Sequence, residues 1–196
     1  MDIRLVLAAT LGAYLAGSIP FGLIVARLTG GADPRSVGSG RTGGTNALRA
    51  LGRRRAAVVS AGDILKGTLP VLAVHSLAAQ GAEIWTSTWT VIAALFAVIG
   101  ATRSIWVGFK GGRGIATGFG TALAIAPAAL AGAAPFFFVL IWRTRLVSLG
   151  SITAAAAFSP ILIVASAVSV SGLDPAIATY AVIGPALVWL AHADNI

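Results

Sequence analysis

Between Asp33 and Arg49 the chain collects the residue types that hold a phosphate. Gly38, Gly40, Gly43 and Gly44 let the backbone approach a ligand closely and turn successive N–H groups inward as an anion nest. Ser39, Thr45 and Asn46 add hydroxyl and amide donors. Arg35, Arg41 and Arg49 add fixed charge in a forked geometry that matches phosphate oxygens. A second stretch, Phe109-Lys110-Gly111-Gly112-Arg113-Gly114, has the same character. The two stretches read as parts of one phosphate site, with Ser148, His192 and Asn195 converging on it.

This set is rich in cations and nearly free of carboxylates. A hard divalent cation would want several acidic oxygens, and zinc would want more than two distant histidines, so no metal and no cofactor is expected. The glycine loops fit neither the P-loop signature nor the dinucleotide fingerprint. The chemistry that remains is binding two phosphates, or a phosphate and an oxyanion, beside a lipid-filled groove.

The elements that must position these residues lie in a membrane. Of 196 residues 57% are hydrophobic and only 10% are charged, with a mean hydropathy of +0.91, whereas a soluble domain carries about 25% charged residues. The apolar segments are too long and too many for a cleaved signal peptide. Without cysteine there is neither a disulfide framework nor a thiolate metal site. A net charge of +8 would point to nucleic acid in a soluble protein. Here it marks a membrane side, and no nucleic-acid partner is expected. With no short-period repeat, one membrane domain over 1–196 is the economical organisation.

Leu5 to Leu28 is a first span, interrupted at Gly17-Ser18-Ile19-Pro20-Phe21-Gly22 by a packing kink or by a turn that aims Ser18 at the site. Seven of the fourteen cations lie between Arg27 and Arg55, which places that loop in the cytoplasm and the N-terminus outside. Within it, Thr45 to Gly52 reads as a short surface helix capped by Thr45 or Asn46, and the Arg53-Arg54-Arg55 run as a topology signal. Ala56 to Ala79 is a second span with Asp63 and Lys66 on one face, either a structural ion pair or a functional one. Trp89 to Arg103 returns inward, with Trp85 and Trp89 at an outer aromatic belt. Ile115 to Trp142 is broken near Ala126-Pro127 and reads as two short helices, in and back. Val147 to Val170, interrupted at Pro160, and Ala176 to Ala191 complete an all-α membrane protein of about seven spans, two of them short, with a cytoplasmic C-terminus.

A specific resemblance joins these pieces. Gly17-Ser18-Ile19-Pro20-Phe21-Gly22, Asp33-x-Arg35 with Gly38-Ser39-Gly40, and Gly43-Gly44-Thr45-Asn46 with Arg49 resemble the first cytoplasmic motif of the bacterial acyl-phosphate:glycerol-3-phosphate acyltransferases. Phe109 to Thr117 resembles their second motif, and His192-x-x-Asn195-Ile196 the start of their third. Asp63-x-x-Lys66-Gly67 and Arg145-x-Val147-Ser148-Leu149-Gly150-Ser151 also match. The chain departs from the pattern at Ala101, where the family usually has histidine, at Arg41, where it usually has asparagine, and at Gly44, where it usually has alanine. The family's pattern also continues past Ile196, with Arg-Leu and Gly-x-Glu.

The resemblance implies a multi-pass enzyme of the bacterial inner membrane with its active site facing the cytoplasm. It would move a fatty acyl group from acyl-phosphate to the 1-hydroxyl of glycerol 3-phosphate, without a direct carrier-protein or coenzyme A donor and without an obligatory protein partner, as a monomer. In that chemistry Ser39, Thr45 and Asn46, with the amides of Gly38, Gly40, Gly111, Gly112 and Gly114, would cradle the acyl-phosphate beside Arg113 and Ser148. Lys110 would neutralise the leaving phosphate. Arg49, His192 and Asn195 would hold glycerol 3-phosphate, with His192 the fallback base. On the residues alone two alternatives stay open: a homologue that binds acyl-phosphate with impaired turnover, and a membrane transporter of a phosphorylated metabolite.

Overall fold

The computed structural model describes residues 3–80, 85–169 and 172–193, and among them it contains nine α-helices and no strand. They are α1 (Ile3–Ser18), α2 (Phe21–Leu28), α3 (Gly44–Leu51), α4 (Arg53–Ala79), α5 (Thr86–Thr102), α6 (Ile115–Ile125), α7 (Pro127–Thr144), α8 (Val147–Ala167) and α9 (Pro175–Leu190). By length and composition α4, α5 with the turn that follows it, α7 and α8 can each cross a membrane, and α1 with α2 makes a fifth such segment bent by 51°. α6 and α9 are shorter apolar helices.

The kink between α1 and α2 is a packing feature. Ser18 is 1% exposed and sits against α5, with its carbonyl accepting from the Ser104 hydroxyl at 2.5 Å. It does not line the cleft described below. Pro20 ends the α1 ladder, and the Ile19 carbonyl is then shared by the Phe21 N–H and, at 2.8 Å, the Lys66 ammonium on α4. Lys66 is also paired with Asp63 at 2.6 Å, so the charged pair inside α4 is tied to the break in the first span. A backbone group freed by proline has no water to turn to at membrane depth, and a neighbouring helix supplies the partner instead.

Small residues set the helix spacing. A Cβ on Gly17 would strike the Ala97 carbonyl of α5, and one on Gly100 would strike the Tyr14 carbonyl of α1. The same relation holds between α4 and α6, through Gly67 against the Thr117 carbonyl and Gly120 against the Ile64 carbonyl. Backbones in direct contact gain dispersion energy where there is no water to expel.

Three expectations are corrected. The Ala126-Pro127 break is where the long apolar run divides, but only α6 is short; α7, at 18 residues, is full length, because Pro127 starts a helix at its first position as readily as it ends one. Pro160 does not interrupt α8, which runs unbroken past it. α3 is capped by neither Thr45 nor Asn46: the helix begins earlier, with Gly43 extended at its N-cap, and Asn46 faces inward at 3% exposure.

Candidate active site

A cleft of about 910 Å³ opens where the polar loops meet the helix ends. The first turns of four helices line it: Gly44, Thr45 and Asn46 of α3, Arg53 of α4, Ile115, Ala116 and Thr117 of α6, and Val147 and Ser148 of α8. Each helix N-terminus carries unpaired N–H groups and roughly half a positive charge. Four of them, with Arg41, Arg49 and Arg113 on the walls, make a strongly anion-attracting cavity.

Asn46 is the hub of the first wall. Its Nδ2 donates to the Arg41 carbonyl at 3.0 Å and to the Ser39 hydroxyl at 3.3 Å, and its Oδ1 accepts from Arg49 Nη1 at 3.2 Å. A backbone carbonyl can only accept, which fixes the orientation of the amide. Gly38, at φ +57, passes so close that a Cβ there would overlap Arg49 Nη1 and Asn46 Oδ1. The second wall touches the first through Gly112, whose missing side chain faces the Gly43 backbone. Its loop is held by the Gly111 and Gly112 N–H groups, which donate to the Thr102 and Ala101 carbonyls at 3.1 and 2.9 Å. Arg113 then reaches across to Ser148 at 3.4 Å. His192, just beyond α9, is 1% exposed and donates from Nδ1 to the Val188 carbonyl at 2.8 Å, since a carbonyl can only accept.

The structure therefore brings Gly38, Ser39, Thr45, Asn46, Arg49, Gly112, Arg113, Gly114, Ser148 and His192 to one cleft. Gly40, Lys110 and Gly111 do not line it: Gly111 is a buried backbone contact, and Lys110 is exposed two residues from Gly112. Asn195 lies outside the described residues. Arg35 does not line the cleft either; its guanidinium is spent on Asp33, with Nη2 to Oδ2 at 2.7 Å. That hydrogen-bonded charge, together with the Arg35 N–H, holds the Asp33 carboxyl below the ordinary carboxylate range, and the Asp33 carboxylate in turn raises the Arg35 guanidinium. The sequence reading missed Arg53 and Ser60, which line the cleft with Ala56, Ala57, Asp63 and Ile64. That set is one helical face, and its spacing of three and four residues was the available signal.

Ile115, Phe119, Phe137, Phe138 and Ser151 line both the cleft and a neighbouring apolar pocket of about 120 Å³ between α6, α7, α8 and α9. A basic anion cleft beside an apolar pocket in an all-helical membrane protein suits ligands that are phosphorylated lipids or their precursors. The sequence profile of the glycerol-3-phosphate acyltransferases matches residues 7–196, and the chain belongs to that family. Among relatives, the glycerol-3-phosphate acyltransferase of Geotalea daltonii is 44% identical over 187 residues, covering 95% of this chain and 89% of that one. The Synechococcus protein of the same name is 43% identical over 191 residues, covering 97% and 88%. A crystal structure of PlsY (YgiH), described as an integral membrane glycerol 3-phosphate acyltransferase, superposes in its glycerol 3-phosphate form with a TM-score of 0.84 and 34% identity, over 97% of this chain and 89% of that one. Its lysophosphatidic acid form gives a TM-score of 0.83 at 33% identity. The protein is a multi-pass membrane acyltransferase that acts on glycerol 3-phosphate.

Proposed function

We propose that the cleft transfers a fatty acyl group from acyl-phosphate to the 1-hydroxyl of glycerol 3-phosphate, giving lysophosphatidic acid and inorganic phosphate. The observation that carries this reading is the junction itself: four helix N-termini and a set of arginines at one end of an apolar pocket. Acyl-phosphate is a mixed anhydride whose leaving group is already good. The site has to neutralise two phosphates, polarise one carbonyl and hold the hydroxyl close. The hydroxyl oxygen attacks the acyl carbon, and the bond to the phosphate oxygen breaks with its electron pair staying on phosphate. The hydroxyl proton passes to a phosphate oxygen or to His192 Nε2.

Ser39, Thr45 and the amides of Gly38 and Gly114 hold the acyl-phosphate, with Arg113 and Ser148 on the opposite wall, while Asn46 orients Ser39 and Arg49, and Gly112 ties the second loop to Ala101. Arg49, His192 and Asn195 hold glycerol 3-phosphate. Lys110 reaches the leaving phosphate by turning its flexible stem inward from the loop, and Gly40 and Gly111 shape the two loops. We count seven spans in one membrane domain, α1 with α2 as a single bent one and then α4 to α9. The cluster of cations around the cleft supports a cytoplasmic position for that face with the N-terminus outside, and the same reading has the protein in the bacterial inner membrane. Since one chain lines the whole cleft, a monomer suffices.

Purified full-length chain is expected to release phosphate from palmitoyl-phosphate only when glycerol 3-phosphate is present, with lysophosphatidic acid as co-product. Release indifferent to glycerol 3-phosphate, or none, would overturn the donor assignment. In the same assay Arg113→Ala is expected to lower kcat/KM by about 100-fold, the usual cost of removing one preorganised donor. Lys110→Ala is expected to cost at least about 10-fold, and near-normal turnover would end the role given to Lys110.

A further inference from the structure

Of the α4 residues that line the cleft, Asp63, Ile64 and Lys66 lie furthest from the start of the helix, and the transfer chemistry above leaves both charged ones unused. Asp63 is the one acidic side chain in the cleft lining among the described residues. The other polar side chains there are arginines, hydroxyls, an amide, an ammonium and an imidazole, all able to donate. Lys66 Nζ lies 2.6 Å from Asp63 Oδ1 and donates to the Ile19 carbonyl at 2.8 Å, so the carboxylate is fixed and its charge balanced. Lys66 is also its one hydrogen-bonding partner among the described residues. A carboxylate has about four acceptor sites, so a single donor leaves capacity over. The 11% of the Asp63 side chain that is exposed belongs to the lining of the cleft. The anion-binding elements are one turn away. α3, which carries Arg49, starts beside Ser60, since a Cβ on Gly44 would lie 2.8 Å from Ser60 Oγ. Asp63 is three residues further along the same face, about 4.5 Å along the axis. That step is comparable with the reach from the phosphate of glycerol 3-phosphate to its 2-hydroxyl.

We propose that Asp63 accepts a hydrogen bond from the 2-hydroxyl of glycerol 3-phosphate, and so selects this acceptor over three-carbon phosphates that lack that hydroxyl or carry a ketone in its place. The inference rests on the cleft being the glycerol 3-phosphate site; it is independent of the identity of the acyl donor. Glycerol 3-phosphate presents an anionic end, which needs donors, and two hydroxyls, which need acceptors. Helix N-termini and arginines serve the anion. Asp63 is the acidic side chain that the cleft offers to a hydroxyl. With the phosphate on Arg49 and the 2-hydroxyl on Asp63, the carbon chain is held at two points and the direction of the 1-hydroxyl is fixed. A ketone at the middle carbon can only accept, so it would set lone pairs against the carboxylate. A bare methylene there would leave the carboxylate without its second donor. A site built to hydrogen-bond a substrate hydroxyl rejects analogues without it far more strongly than an apolar pocket rejects a missing methylene. Lys66 acts through Asp63: it holds Oδ1 and balances the charge, which lets a carboxylate stand near a bound phosphate.

The test needs no acyl donor. The rise of the melting midpoint with ligand concentration gives dissociation constants for glycerol 3-phosphate, 3-hydroxypropyl phosphate and dihydroxyacetone phosphate on the purified full chain. The unaltered chain is expected to bind glycerol 3-phosphate at least about 10-fold more tightly than either analogue, the lower end of what a hydrogen bond to a charged group contributes. Asp63→Asn keeps an oxygen for Lys66 and turns an amide donor to the cleft, so the preference over the ketone is expected to shrink by at least about 10-fold or to invert. Asp63→Ala with Lys66→Met removes the pair and is expected to bring glycerol 3-phosphate and 3-hydroxypropyl phosphate to nearly equal affinity. A purely structural pair would shift the melting midpoints of these variants and leave the affinity ratios where they were. Equal affinities of the unaltered chain for the three ligands would overturn the proposal, and so would unaltered ratios in whichever variant folds. No effect of glycerol 3-phosphate on the unaltered chain would overturn the cleft assignment and this inference with it. Failure to turn over palmitoyl-phosphate, with the affinity ratios as expected, would overturn the donor assignment alone.

Discussion

Gly38→Ala is expected to lower kcat/KM for acyl transfer by about 100-fold while costing the fold only about 1–2 kcal/mol. The backbone at Gly38 is left-handed, at φ +57, and a new methyl group would occupy the space of Arg49 Nη1 and Asn46 Oδ1. Asn46 is buried and bonded to Ser39 and to the Arg41 carbonyl, so it cannot yield. Arg49 is the partner that moves, and it gives up its bond to Asn46 and its place on the cleft wall. A misplacement of about 1 Å is enough to cost two orders of magnitude in rate. Gly30→Ala is the control: that glycine has the same left-handed backbone, φ +61, with nothing near its would-be side chain. It should show the backbone penalty in a thermal melt and near wild-type turnover. Equal activity losses in the two variants would mean that strain, and not the collision with Arg49, is what matters at Gly38.

Asp63→Ala is expected to be strongly destabilising. Asp63 and Lys66 form a tight pair with side chains only 11% and 8% exposed. Removing the carboxylate leaves the ammonium held by the Ile19 carbonyl and, 6.0 Å away, by the Phe21 ring. Breaking a buried pair from one side costs about 3–5 kcal/mol, which at roughly 2–4 °C per kcal/mol lowers the melting midpoint by about 10 °C. The double variant Asp63→Ala with Lys66→Met should recover more than half of that loss, because no unpaired charge is left and the Ile19 carbonyl keeps the Phe21 N–H. Melting curves of the purified protein followed by tryptophan fluorescence decide it. A double variant no more stable than the single one would show that the pair acts through the bend in the first span and not through charge burial.

The polar loops were legible from the sequence because they are the exceptions in an apolar chain. Glycine next to hydroxyls and arginines in Gly38 to Asn46 and again in Lys110 to Gly114 has few other uses, and both loops do meet, at Gly43 and Gly112. The break at Ala126-Pro127 was legible for a similar reason, since a single span needs only about 20 residues and the apolar run has 28. What stayed hidden depends on orientation. Three consecutive arginines, Arg53 to Arg55, look equivalent as letters; only once a helix starts at Arg53 does that residue share a face with Ser60 and Asp63. Thr45 and Asn46 are both favoured cap types, so the sequence predicts a later start for α3 than its Gly43 N-cap. The tertiary contact overrode that preference by drawing the Asn46 amide inward to Ser39 and Arg41. Pro160 predicts a break, yet one lost hydrogen bond does not stop α8, which runs unbroken past the proline.

The four helix ends and the arginines around the cleft have a consequence for how this enzyme responds to acid. Peptide dipoles do not titrate, and guanidinium groups stay protonated throughout the range a cell visits. The part of the attraction that comes from helix ends and arginines is therefore constant across that range. The substrates are different: a phosphate monoester exchanges its second proton near pH 6. A fall in activity on mild acidification would then be written by the ligands rather than by any change in the helix ends and arginines that receive them.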